Sequence, residues 1–133
     1  MTNYPPFAKP EGEGFPTPIT CLDRLKMELG HKPYCEDDEL CIFLEENGLT
    51  YSWNYDKDAM ERQLLYTVIS ILEMLSNNVD FYMKIELNFQ TQSQALDNII
   101  KRIAHLHRRI DLITQAESEK GSDFTFMYYT HKK

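Results

Sequence analysis

Five of the chain's six prolines, Pro5, Pro6, Pro10, Pro16 and Pro18, fall within its first 18 residues, together with Gly12 and Gly14. Proline lacks a backbone donor and locks its own φ, so a stretch this dense in it holds neither a helix nor a strand ladder. Residues 1–18 therefore read as an extended arm, or a strap for a partner. From Thr20 the pattern changes. Thr20 followed three residues later by Asp23 is a capping-box variant, and Cys21, Leu22, Leu25, Met27 and Leu29 behind it make a short helix that stops at Gly30. Pro33 punctuates. Glu36, Asp37, Asp38 and Glu39 then place four carboxylates on the first turn of a second helix, where the macrodipole is positive. Leu40, Cys41, Phe43 and Leu44 supply its buried side, and Gly48 after Asn47 is a left-handed stop.

Residues 49–57 form an aromatic connection that holds the only tryptophan, Trp53. From Asp58 to about Asn77, Met60, Leu64, Leu65, Val68, Ile69, Leu72 and Leu75 recur at spacings of three and four, which makes this the strongest core helix. Val79 to Phe89 is ambiguous. Phe81, Met83, Ile85, Leu87 and Phe89 alternate as a strand would, whereas Phe81, Tyr82, Ile85 and Phe89 share one helical face. Helix is favoured, because the neighbours are helical and a lone strand has no partner. Thr91 with Gln94 is a second capping box, followed by Leu96, Ile99, Ile100, Ile103, Leu106, Ile110 and Ile113 near a heptad period. The last helix is expected over about 93–115. Beyond it, the aromatic and β-branched run 124–130 reads as a strand, and an unpaired terminal strand calls for another edge to dock on. The expected fold is all-α: a bundle of four to five helices over 19–116, a Pro-rich arm over 1–18 and a strand-forming docking tail over 117–133.

At 133 residues the chain has room for one core. With 42% apolar and 12% aromatic residues it is too rich in buryable material to be wholly disordered. Its formal charge of -7 argues against bulk attraction to phosphate backbones. Cys21, Cys35 and Cys41 are an odd set with no CxxC pair, and no secretory leader is evident, so reduced thiols in a cytoplasm are expected. No run is apolar enough to span a bilayer, and no membrane association is expected.

No arrangement of reactive residues points to catalysis. His31, Cys35 and Cys41 are thiolate and imidazole donors within eleven residues, but their spacing fits no common finger or ribbon and a fourth ligand is missing. His105 and His107 point apart on a helix and cannot share a ligand. The carboxylates of 36–39, with Glu45 and Glu46, stand where capping and solubility would put them. GxSxG, P-loop, GxGxxG and HExxH patterns are all missing. No enzyme, cofactor or metal is expected. Arg102, Arg108 and Arg109, with the two histidines, form a basic surface that reads as a solvated face or as a contact for an acidic neighbour. The first turn of 36–39 in another copy is such a neighbour, and a head-to-tail contact of that kind closes into a ring if the rotation permits. Tyr51, Trp53 and Tyr55, joined by Tyr34, cap the core or anchor a partner. Phe124, Phe126, Tyr128 and Tyr129 favour docking, since a free tail has no use for four large rings.

The order of these elements resembles the head-tail connector, or adaptor, proteins of tailed bacteriophages, also called head-completion proteins. The likeness covers about residues 18–115. It rests on the short capped helix ending at Leu29 and Gly30, the acid-led helix of 36–40 with 43–48, the core helix of 62–78, and the Ile-rich last helix of 99–110. The resemblance implies a small helical bundle in a ring, commonly of twelve copies, beneath the portal protein. Such a ring extends the DNA channel without binding DNA specifically and offers a platform for the stopper or tail. It implies a place in the virion neck, with the host cytoplasm occupied during assembly, and no catalytic residue to carry over. Phe124, Phe126, Tyr128 and Tyr129 would then dock, while Glu36, Asp37, Asp38, Glu39, Arg102, Arg108 and Arg109 would meet between subunits. The Pro-rich arm and the long aromatic tail depart from the family's pattern. The alternative is a small intracellular interaction or regulatory module that presents the Trp53 loop to one partner without forming a ring.

Overall fold

The computed structural model describes the backbone of residues 18–132 and the side chains of 18–119; residues 1–17 of the expected arm lie outside it. Five helices form in the described residues: α1 (Cys21–Glu28), α2 (Asp37–Glu46), α3 (Lys57–Ser76), α4 (Val79–Glu86) and α5 (Gln92–Lys132). The all-α bundle read from the periodicity is the fold.

Local chemistry sets the boundaries. Asp23 N–H donates to Thr20 Oγ1 at 3.1 Å and caps α1. Its end is a left-handed pair, Gly30 at φ 68° and His31 at φ 58°, with His31 N–H reaching back to the Lys26 carbonyl at 2.9 Å. Glu36 and Glu39 close a reciprocal capping box on α2, and Gly48, at φ 87°, ends it as expected. Asp58 N–H donates to Asp56 at the start of α3. Val79 to Glu86 is helical, which resolves the ambiguous segment in favour of the helix, and Leu87 stops it at φ 62°. Thr91 caps α5 by accepting from Gln94 N–H at 3.1 Å, but the Gln94 amide accepts from Gln90 N–H, one residue before the cap, so the reciprocal bond of a capping box goes to Gln90 instead of Thr91.

α3 is the axis of the molecule. It packs on each of the other four helices, and Leu64, Leu65, Thr67, Val68, Ile69, Ile71, Leu72 and Leu75 are buried around most of its circumference. Its one fully buried hydroxyl, on Thr67, donates to the Gln63 carbonyl at 2.7 Å, so no polar group is stranded there. α2 and α5 both lie against α3, and their backbones are not neighbours. The connection between α2 and α3 folds back on the start of α1. Cys21 N–H donates to the Trp53 carbonyl at 2.8 Å and Tyr55 N–H to the Ile19 carbonyl at 2.7 Å, around an isolated bridge from Thr20 to Asn54.

α5 differs from expectation at its far end. The sequence placed its stop near Gln115 and a strand over 124–130, whereas the helix carries on to Lys132. Once nucleated, a helix adds residues at little cost, while a strand needs a neighbour to pair with, and no sheet exists among the described residues. The side chains of Phe124, Phe126, Tyr128 and Tyr129 lie outside the described residues.

Candidate functional site

Two polar networks fasten α5 to the rest of the bundle, and both start from arginines on its buried side. Arg109 Nη1 binds Glu28 of α1 at 2.6 Å, and Arg109 Nη2 lies 3.8 Å from Glu61 of α3. Glu28 also takes Arg24 at 3.0 Å, and the Arg24 guanidinium sits 5.5 Å from the centre of the Tyr55 ring. Burial disfavours the Glu28 charge, but Arg109 and then Arg24 outweigh it and hold its carboxyl below the ordinary glutamate value.

Seven positions earlier, Arg102 enters the second network. Arg102 Nη1 donates to the Tyr34 hydroxyl at 3.3 Å, and that hydroxyl donates to Glu86. Glu86 lies 3.8 Å from Lys32. Tyr34 stacks on Tyr82 at 5.9 Å and Tyr82 on Phe89 at 6.0 Å, while Asn98 Nδ2 donates to the Tyr82 hydroxyl at 2.6 Å. Burial works against the Arg102 charge, and the neighbouring phenols of Tyr82 and Tyr34 more than offset it, so its pKa stands above the usual arginine value. Burial, then the Glu86 bond, raises the Tyr34 phenol, which is therefore a neutral neighbour.

Of the residues expected at a subunit contact, Arg102 and Arg109 thus have partners inside the chain. Arg108 is exposed. Within the acidic turn, Glu36 and Glu39 bind each other's backbone N–H groups and Asp37 pairs with Lys26 at 2.9 Å. Asp38 is exposed and makes no hydrogen bond or ion pair among the described residues. The turn borders an open groove of about 760 Å³ floored by Pro33, Tyr34, Cys35 and Phe81.

The aromatic cluster divides. Tyr34 is buried and Tyr55 packs partly against the core, whereas Tyr51 and Trp53 are each about half exposed, at 51% and 48%. The Tyr55 hydroxyl is buried without a partner among the described residues. No group of three or more His, Cys, Asp or Glu side chains converges on a metal-sized site there, so His31, Cys35 and Cys41 are not brought together as ligands. Burial, with Glu39 nearby, pushes the Cys35 thiol up to about 11. Among the described residues no helix is long and apolar enough to cross a membrane.

Sequence reasoning missed Glu28, Glu61, Glu86 and Asn98 as partners, because each belongs to a different helix and no local motif joins them. No family model, curated protein or solved structure matches the chain.

Proposed function

We propose that this chain is a structural adaptor of a bacteriophage neck, a head-tail connector that seats beneath the portal protein as a homo-oligomeric ring. There it extends the DNA channel and receives the stopper or tail. The observation that carries this reading is the element order behind the resemblance: a short capped α1, an acid-led α2, a central α3 and a long α5, folded as one bundle. The charge layout supports it. The acidic turn and the basic flank of α5 belong to elements whose backbones are not neighbours, so one copy can offer each to a different neighbour. Asp38 and Arg108 are exposed charges without an ion pair among the described residues and so are open to lateral contact, while Arg102 and Arg109 hold the bundle. A net charge of -7 favours passage of DNA along the wall without adhesion. The tail, through Phe124, Phe126, Tyr128 and Tyr129, docks on the portal or an adjacent copy, and the arm of 1–18 straps the neighbour.

Deleting residues 120–133 tests the docking role. The core contacts of α5 run from Ala95 to Ile113, and Arg62 adds bonds to Thr114 and Glu117, all retained in the shortened chain. Its helicity should therefore persist while co-sedimentation with portal assemblies is lost. A shortened chain that still docks normally would refute the role of the tail. A second reading, an intracellular interaction module, draws on the half-exposed Tyr51 and Trp53, and it predicts that Trp53→Ala rather than the deletion removes partner binding.

A further inference from the structure

Along α5, Lys101, Arg102, His105 and Arg109 line a cleft of about 340 Å³ whose remaining walls are Glu28, Val68 and Leu106. An acidic chain thus gathers three formal positive charges there against one carboxylate. That carboxylate is already committed, since Glu28 binds Arg109 at 2.6 Å and Arg24 at 3.0 Å. Arg102 differs from Arg109. Among the described residues no carboxylate oxygen lies within 4.0 Å of its guanidinium, and its side-chain hydrogen bond there goes to the Tyr34 phenol at 3.3 Å. Glu86, the acid behind Tyr34, sits beside Lys32.

A guanidinium offers five N–H donors in a planar fork, and one phenol oxygen leaves most of that fork unused. The Tyr34 hydroxyl that holds one arm of the fork is itself set by the stack of Tyr34, Tyr82 and Phe89, with Asn98 bonded to Tyr82, so less side-chain freedom is left to lose on binding. Lys101 and His105 are exposed one turn apart at the rim. A half-buried, preorganised fork with an exposed ammonium beside it is a donor set that suits a tetrahedral dianion. The volume falls at the small end of ligand pockets, with room beyond one phosphate group.

We propose that this cleft binds a phosphate group, with Arg102 forking two of its oxygens and Lys101 and His105 closing on the others. The phosphate arrives free or as the terminal group of a nucleotide-sized molecule. The inference goes beyond the neck reading and stands or falls without it.

The test is a titration of the isotope-labelled full chain with inorganic phosphate, followed by amide and arginine side-chain NMR shifts at ionic strength held constant with sodium chloride. Saturable shifts centred on 101–106 are expected, with affinity lowered about tenfold by Lys101→Gln and again by Arg102→Gln. Lys101 is exposed, so its variant keeps the fold intact. A parallel titration with adenosine 5′-monophosphate separates the sources: tighter binding than phosphate assigns the site to a carried phosphate, and equal binding to the free ion. Shifts that never saturate, or saturable binding moved by neither variant, would overturn the proposal.

Discussion

Arg102 and Arg109 lie two helical turns apart on α5, in the same stripe as Ala95, Ile99, Leu106 and Ile110. Truncating Arg109 to Met would strip Glu28 and Glu61 of a cation at a largely buried junction. We expect it to cost about 1–3 kcal/mol in denaturant unfolding, whereas Arg108→Met, at an exposed position, should stay within about 0.5 kcal/mol. Glu28 makes a prediction in pH. Its folded pKa lies below the ordinary value of 4.5, so the folded state binds fewer protons than the unfolded state near that pH. Its stabilisation is complete above the unfolded value and is lost as pH falls through the folded one. The stability gap between the native chain and Glu28→Gln should therefore narrow as pH drops below about 4.5. A gap that widens on acidification would contradict the assignment. The inward role of the two arginines was legible in the sequence, because positions 95, 99, 102, 106, 109 and 113 step by four and three alternately, the period of a buried seam. Reading them as a basic surface followed their charge and overlooked their register. Which acids faced them was not legible, since those acids come from α1, α3 and α4, and only the packing brings them together.

At the scale of elements, stop signals carry the bundle's geometry. Gly48 ends α2 at φ 87° with open space around it, so Gly48→Ala should cost about 1 kcal/mol through backbone strain alone. Leu87 ends α4 at φ 62° and is 80% exposed. A β-carbon is strained there and the side chain gains little from burial, so Leu87→Gly should stabilise the fold by up to about 1 kcal/mol. Thermal unfolding of both variants checks the opposite signs. Helix starts were the most legible parts of the chain, because Thr20 and Thr91 announce themselves by residue type at fixed offsets. The helical state of Val79 to Glu86 followed from its neighbours, although the alternating apolar pattern fitted a strand equally well. The end of α5 was not legible: aromatic and β-branched content suggested a strand, but helix propagation from Gln92 needs no partner and a strand does. Ile100, read as part of the apolar stripe, is instead 54% exposed, since the buried register is set by Ala95 and Ile99.

For the whole molecule, a bundle organised on α3 carries two differently charged elements, α2 and α5, whose backbones are not neighbours. That arrangement suits lateral contact between copies, and the proposed neck role adds the portal as the surface that organises them. Asp38 and Arg108 are exposed charges of the two flanks with no ion pair among the described residues, so Asp38→Arg should weaken assembly on the portal and combining it with Arg108→Asp should restore it in part. The most direct test is native mass measurement of the full chain over a concentration series, alone and with assembled portal. The account predicts a ring of chains bound to the portal, with the shortened chain lacking residues 120–133 left in solution. A full chain that stays monomeric and unbound beside the portal at every concentration would contradict it.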